Sequence, residues 1–515
     1  MELVFGQMGR RKNATRNLIY SGLDKVYYTI VPFLLRTAIL YYLGAEYLGL
    51  NGLFTSLFQV LNLAELGVGD AMVYSMYKPF AENDQTTLCA LLRLYKYFYR
   101  IIGTVILVLG LIVMPFLPQL IYGDTPADIN LMVLYLLHLF SVVMSYWLFA
   151  YRSSLLIASQ RSDIKSKLQL ITRTVYYALQ FIAICVFKNY YFFVIASVLF
   201  QIANNLVIAA ASRKMYPRIE PKGDLGAGAR KDISQRIRDL FTAKVGGVIV
   251  NYADSIVVSA FLGLVWLALY QNYYYVIVAV SGMIGIFFQS CTAGIGNSIV
   301  TESGSKNYHD FELMTLITLW LINICACCML ALYQPFMTIW VGMDMLLDYK
   351  TVICFCIYFG VMQINSLLCT YKDASGIWHA DRFRPLVTAI CNLTMNILTI
   401  GRWRLYGVIL STVLSTLLIG IPWIIHNLFR TIFEMRYMKV YVRKLLSECV
   451  RIFMICVICT LTCNLVTGNE YLVIVVRLVI CILLSNILFY IVFRKENDFL
   501  EVMKMVFKIF KKEEH

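Results

Sequence analysis

Residues 43–84 read LGAEYLGLNGLFTSLFQVLNLAELGVGDAMVYSMYKPFAEND, and no charge stands between Glu46 and Glu65. A bilayer core takes roughly 20 consecutive apolar residues per helix, and this stretch supplies a span near 46–77. It is far too long for a barrel strand and lacks two-residue alternation, so helix is the expected element. The pattern continues on both sides, with further spans near 18–43, 86–118, 128–157, 165–187, 190–212, 239–262, 266–300, 310–332, 349–371, 379–399, 406–429, 447–465 and 471–493. The expected fold is an all-α integral membrane protein of about fourteen transmembrane helices.

Composition agrees. The 515 residues are 60% hydrophobic and only 15% charged, where soluble domains carry about 25% charged residues. The net charge of +15 would suggest nucleic acid in a soluble protein. Here it follows topology, because cytoplasmic loops collect Lys and Arg. With the N-terminus inside, segments 1–17, 78–100, 151–173, 213–238, 301–310, 372–384, 430–451 and 494–515 hold 37 Lys or Arg, against Lys188, Lys350, Arg402 and Arg404 on the other side. The chain is therefore expected in the cell membrane as a multi-pass protein with both termini cytoplasmic, and nucleic acid is not an expected partner. The basic stretch 1–17 precedes a long apolar run and reads as the anchor of an uncleaved first helix.

Two halves resemble each other. Leu43-Gly44 recurs as Leu262-Gly263, Lys25-Val26 as Lys244-Val245, and Gly123 as Gly342, each at an offset of 219. The expected domains are a six-helix lobe at 1–214, a cytoplasmic linker at 215–231, a second six-helix lobe at 232–433, helices 13 and 14 at 434–493, and a basic amphipathic tail at 494–515. Even helix numbers make this a parallel repeat about an axis along the membrane normal. The tail alternates Phe499, Val506 and Phe510 with Lys504, Lys508 and Lys512, which suits a helix lying on the cytoplasmic leaflet or a solvated tail.

Charges inside spans are costly and usually face a bundle interior or a watery cavity. Lys25 and Arg36 are eleven residues apart, about 16 Å along one side of helix 1, with Pro32 between them as a kink site. Lys244 and Asn251 trace the equivalent stripe on helix 7, with Asp254 beside it. Gln59, Asn62 and Glu65 add to helix 2, and Gln271 and Gln289 to helix 8. The expected substrate cavity is thus a cleft between the two halves bearing Lys25, Arg36, Lys244, Gln59, Asn62, Asn251, Gln271 and Gln289. Glu65, Asp70 and Asp254 are candidates for ion or proton coupling. Such a cleft suits a large polar anion, with phosphate on the cations and sugar hydroxyls on the amides. The competing reading makes Lys25 interfacial, puts Glu65 and Asp254 in structural pairs, and lets Arg477 snorkel outward.

Catalytic signatures are missing. There is no Walker A sequence, and the lone Gly67-Val-Gly69 reads as a packing or bending site. His138 reads as a satisfied buried histidine. The 15 cysteines include Cys456-x-x-Cys459, with no second pair at zinc spacing; they read as small apolar residues. Neither an enzyme nor a metal or other cofactor is expected.

The run from Leu43 to Asp84 resembles bacterial polysaccharide biosynthesis proteins of the Wzx flippase type, and TRNLIYSGLDK (15–25) and PFLLRTAIL (32–40) fit the same pattern. That superfamily also holds MATE drug antiporters and lipid II flippases. The resemblance implies a MATE/MOP-like bundle of two six-helix lobes plus two helices. It also implies alternating access for an undecaprenyl-diphosphate-linked oligosaccharide, moved from the cytoplasmic to the outer leaflet for a surface polysaccharide such as lipopolysaccharide or capsule. Lys25, Arg36 and Lys244 fall where the relatives' cavity cations are expected. Helices 13 and 14 take the place of a lipid-tail groove. Membrane lipids, polysaccharide polymerase and chain-length machinery are the implied partners. The alternative is a MATE-like cation-coupled antiporter for drugs or organic cations, whose cavity would be predominantly acidic.

Overall fold

The computed structural model describes residues 27–512 apart from Thr29 and Asp124. Among the described residues every regular element is helical. The first is α1 (Ile30–Tyr42). There follow α2 (Ala45–Leu61), α3 (Val68–Ala81), α4 (Gln85–Val113), α5 (Leu131–Trp147), α6 (Ser153–Ala158), α7 (Ser162–Cys185), α8 (Tyr190–Met215) and α9 (Ala227–Leu262). The remainder are α10 (Leu264–Thr301), α11 (Gly304–Val341), α12 (Tyr349–Ser375), α13 (Trp378–Asp381), α14 (Arg384–Ser415), α15 (Ile421–Thr431), α16 (Met435–Asn464), α17 (Glu470–Phe493) and α18 (Asn497–Lys512). Ten helices among the described residues are long and apolar enough to cross a bilayer, or twelve when the bent pairs α2/α3 and α5/α6 each form one span.

Their outer surfaces are as apolar as their cores. On α17, Val475, Val479, Leu483 and Ile487 are exposed while Val473, Cys481 and Phe489 are buried. Exposed apolar rows of this length are stable only against hydrocarbon.

Two spans that read as continuous are broken. Between α2 and α3 the axis turns by 42°. A 3-10 turn at Asn62–Glu65 is followed by Gly67 at φ 84°. The apolar composition runs straight through this bend, so hydropathy could not reveal it. Between α5 and α6 the turn is 45°, at Phe149 with φ 55°. The stretch Trp378–Thr431 would be a rod of about 80 Å, more than twice the roughly 30 Å hydrocarbon core. It is broken at Arg404 (φ 46°, ψ −129°). Side chains on either side of that break pair with one another, Asn392 Nδ2 donating to Thr412 Oγ1 at 2.8 Å and Thr399 Oγ1 lying 3.3 Å from Ser411 Oγ. The segment therefore doubles back, as the separate spans near 379–399 and 406–429 anticipate.

The repeat is visible in the backbone. Gly44 and Gly263 have φ 111° and 95°, and Gly123 and Gly342 have φ 84° and 88°. Equivalent positions therefore carry the same left-handed conformation, which glycine adopts at least cost.

The chain forms two compact units, Met1–Ala268 and Leu269–His515. In the first, α9 packs on α2 and α3. A Cβ on Gly49 would collide with the Leu264 carbonyl, and one on Gly67 would fall 2.6 Å from Leu240 Cβ. Gly67 is thus a bending and packing glycine, as its sequence setting suggests.

In the second unit, α11 is central, packing against α12, α16 and α17. Phe311, Tyr371, Phe433 and Tyr441 gather in its core, with Phe311 4.7–4.9 Å from the other three rings. Cys327, Cys456, Cys459, Cys463 and Cys481 are buried free thiols. Arg477 does not snorkel outward. Its Nη1 donates to the Ala331 carbonyl at 3.2 Å and its Nη2 to that of Val466 at 3.0 Å; the first carbonyl is left free inside α11 by Pro335, which has no N–H to offer it, and the second lies just past the end of α16. The tail differs from both expectations as well. Phe499 and Val502 are buried against protein, and Asp498 and Glu501 pair with Lys444 and His309. The first turns of α18 thus pack against the helices of their own unit, with charge pairs along the edge.

Candidate functional site

The polar residues of the first unit fall into two groups that meet at the α2/α3 bend. The first lies along α2, α3 and α9. Asp70 is in the first turn of α3, where the positive end of the helix dipole favours a carboxylate, and it accepts a charged hydrogen bond from Lys244 Nζ of α9. Both remain largely open, at 66% and 45% of side-chain exposure. One turn further along α3, Tyr74 receives the Arg236 guanidinium 4.5 Å from its ring centroid.

Helix geometry places the rest. Lys244 is eighteen residues short of Leu262, about 27 Å along the axis, so it sits at the far edge of a 30 Å core rather than in its middle. Asn251 is eleven residues short of the same end, about 16 Å, at mid-depth. Gly49 faces Leu264, and Gly67 faces Leu240. Gln59, Asn251, Thr55 and Asp70 are all exposed on the unit.

The second group adjoins the first at the bend, where Glu65 is near enough to feel the charges of Asp70 and Lys244. Glu65 Oε1 accepts from the Tyr99 hydroxyl at 3.3 Å, which in turn accepts from the Tyr95 hydroxyl at 2.7 Å. The Tyr146 hydroxyl donates to Asn62 Oδ1 at 3.3 Å. Glu65, Tyr99 and Tyr146 border a polar cavity of about 280 Å³ whose other walls include Lys165, Gln201, Asn204 and Asn205. Hydrogen-bonded phenols and amides can hold a carboxylate and pass a proton or a small cation to it.

The candidate residues therefore do not form one cluster. Lys25 lies outside the described residues. Arg36 is half-buried on α1. Lys244 and Asp70, assigned separately to substrate and to coupling, are partners of one another. Asp254 and Ser255 are buried within the unit. Glu65 borders the phenol cavity, and Asn62 accepts from Tyr146 in its wall. In the second unit, Gln271 is half-buried and Gln289 exposed on α10. His138 is packed between Phe54 and Phe58, with ring centroids 5.1 and 6.0 Å away, and its Nε2 has no hydrogen-bond partner; the satisfied histidine read from sequence is corrected on this point. Tyr95, Tyr99, Tyr146, Lys165 and Asn204 were not anticipated. The one available signal was Tyr95 and Tyr99 four residues apart on one helix face. Among the described residues no cluster of His, Cys, Asp or Glu could hold a metal ion.

The family model for polysaccharide biosynthesis proteins matches residues 14–292, more than half of the chain. The chain belongs to the polysaccharide biosynthesis protein family. No curated protein sequence matches it. The fold is shared with solved transporters. The lipid II flippase MurJ, in an inward closed conformation, is 15% identical with a TM-score of 0.68, over 93% of this chain and 99% of that one. A multidrug resistance MATE transporter of the MOP superfamily, inward-facing, is 13% identical with a TM-score of 0.60, over 77% and 93%. A MOP superfamily transporter from Pyrococcus furiosus, described as having a binding pocket of reversed polarity, is 12% identical with a TM-score of 0.52, over 85% and 98%. This member of the polysaccharide biosynthesis protein family has many helices long and apolar enough to cross a membrane, arranged in a fold that it shares with MOP superfamily transporters.

Proposed function

We propose that this transporter carries undecaprenyl-diphosphate-linked oligosaccharide repeat units from the cytoplasmic to the outer leaflet for surface polysaccharide assembly. The observation that carries the reading is the set of exposed polar side chains of the first unit, where a cation and amides stand on helices α2, α3 and α9. A diphosphate needs charge-assisted donors, and Lys244 with Arg36 and Lys25 provides them. Sugars need amides, and Gln59 and Asn251 are exposed on this unit. Gln271 and Gln289 offer further amides on the second unit. The MATE-like likeness of fold supports an antiporter as the second reading, and Glu65 in its phenol cavity is the observation in its favour. Asp70 and Asp254 are weaker candidates for coupling, one tied to Lys244 and the other buried.

The proposed topology has fourteen spans, reached by splitting Trp378–Thr431 at Arg404 and adding α1 to the twelve. The 37-to-4 division of Lys and Arg supports cytoplasmic termini. The 219-residue repeat supports two six-helix lobes with helices 13 and 14 outside them.

The triple variant Lys25→Gln, Arg36→Gln, Lys244→Gln tests the substrate reading. Each lost charge-assisted contact is worth about 1.5–3 kcal/mol, so the triple change should abolish surface polysaccharide in complemented deletion cells while the protein still reaches the membrane. Normal polysaccharide would remove the cationic face from the account.

A further inference from the structure

A second, cationic cavity adjoins the phenol cavity across the turn Ala150–Arg152: Phe149, Tyr151 and Arg152 line this one, and Ala150 and Ser153 the other. It measures about 540 Å³ and is lined by Lys96, Arg152, Arg213 and Lys222, with Glu220 as its single acidic residue. The local fold explains how these charges meet. Phe149 takes a left-handed conformation (φ 55°) and starts the 3-10 turn Ala150–Arg152. That turn is pinned to the end of α8 by the Ser212 hydroxyl, which donates to the Arg152 carbonyl at 3.1 Å. Arg213 follows directly and lays its guanidinium 5.0 Å from the Phe149 ring centroid. Lys222 comes from the segment after α8, where Glu220 neutralises part of its charge at 3.6 Å.

Arg152 is the decisive residue. It is only 4% exposed, and its Nε and Nη1 are buried without any hydrogen-bond partner. A buried guanidinium lacking an acceptor costs several kcal/mol unless something supplies the opposite charge. No carboxylate is paired with it among the described residues. Lys96 and Arg213 add like charge rather than relief. The same arrangement becomes favourable once an anion with several oxygens enters, because a guanidinium binds such groups through two parallel N–H donors.

We infer that the Arg152 cavity is an anion-binding site for a phosphate group, separate from the proposed transport face. Its chemistry fits a phosphate monoester or diester, supplied either by free phosphate or by the headgroup of an anionic lipid. The neighbouring segments 78–100, 151–173 and 213–238 are the Lys- and Arg-rich ones, which suits a site level with the cytoplasmic headgroups.

The test uses the purified full-length protein in two settings: neutral detergent titrated with inorganic phosphate against chloride at matched ionic strength, and phosphatidylcholine nanodiscs with or without phosphatidylglycerol. Thermal unfolding reads occupancy, since a ligand bound only by the folded state raises Tm. Wild type should be stabilised by at least one of the two anions. Arg152→Gln should bind that anion roughly tenfold to a hundredfold more weakly, as expected for a lost charged hydrogen bond. Without anion, Arg152→Met should melt no lower than wild type, because it removes an unpaired buried charge. The rim variant Arg213→Gln, Lys222→Gln should lose the same response, and it carries the test if the Arg152 variants fail to fold. A response to phosphate in detergent identifies a free phosphate as sufficient. A response to phosphatidylglycerol alone identifies the lipid headgroup. The inference is overturned if neither anion stabilises wild type, or if the variants respond as wild type does.

Discussion

Exchanging the two members of the Asp70–Lys244 pair, as Asp70→Lys with Lys244→Asp, is expected to leave the protein folded and transport abolished. The pair joins α3 to α9 but is 66% and 45% exposed. Exposed pairs contribute about 0–1 kcal/mol, so even Lys244→Gln should lower Tm by only a few degrees. Its effect on transport should be much larger. If the ammonium also meets a diphosphate, removing it costs about 1.5–3 kcal/mol, a roughly tenfold to hundredfold loss of rate. The exchange separates the two roles. It restores an ion pair between the helices and places a carboxylate where the anion would have met a cation. Recovery of transport in the exchanged protein would show that Lys244 acts only through Asp70. The measurement is surface polysaccharide in complemented deletion cells, set beside the Tm of each purified variant.

Gly49→Val should be the most damaging single change in the first unit. A Cβ at Gly49 would collide with the Leu264 carbonyl, which is backbone and cannot rotate aside. Overpacking in a tight contact costs about 1–3 kcal/mol and sometimes more. Here the collision falls where α2 meets the start of α10, next to the packing of α2 on α9. The expected result is little or no monodisperse protein on size exclusion of detergent-solubilised membranes. Gly247→Ala, on the same α9 but with nothing within 4 Å of an added Cβ, should be recovered at the wild-type level. Equal recovery of Gly49→Val would mean that α2 and the start of α10 do not approach so closely.

These contacts also show what the sequence could and could not reveal. Helix class and the approximate spans follow from apolar length, because a bilayer sets a minimum of about twenty residues. The doubling back at Arg404 was legible, since Arg402 and Arg404 interrupt two apolar runs. The bends at Gly67 and Phe149 were not, because apolar residues continue through them and only a positive φ makes the turn. The repeat was legible at Gly44/Gly263 and Gly123/Gly342, where the same unusual φ selects the same residue. The pairing of Asp70 with Lys244 was hidden, because these residues are 174 positions apart and no periodicity connects them. The phenol cavity was half visible: Glu65 stood out as an intramembrane carboxylate, but the tyrosines looked like ordinary aromatic packing. Arg477 differs from its expected outward course because free carbonyls lie within reach: Pro335 shows in the sequence that the Ala331 carbonyl lacks its helical donor, but not that Arg477, 146 positions away, lies beside it. The docked tail was misread for a related reason. Its amphipathic pattern shows that one face must be covered, without showing whether lipid or protein covers it.

The claim that this chain is a flippase for lipid-linked oligosaccharide is tested most directly by the leaflet in which its substrate lies. In cells lacking the protein, lipid-linked repeat units should accumulate and remain inaccessible to a membrane-impermeant reagent applied from outside, until the wild-type chain is restored. Repeat units reaching the outer leaflet at the normal level without the protein would contradict the account.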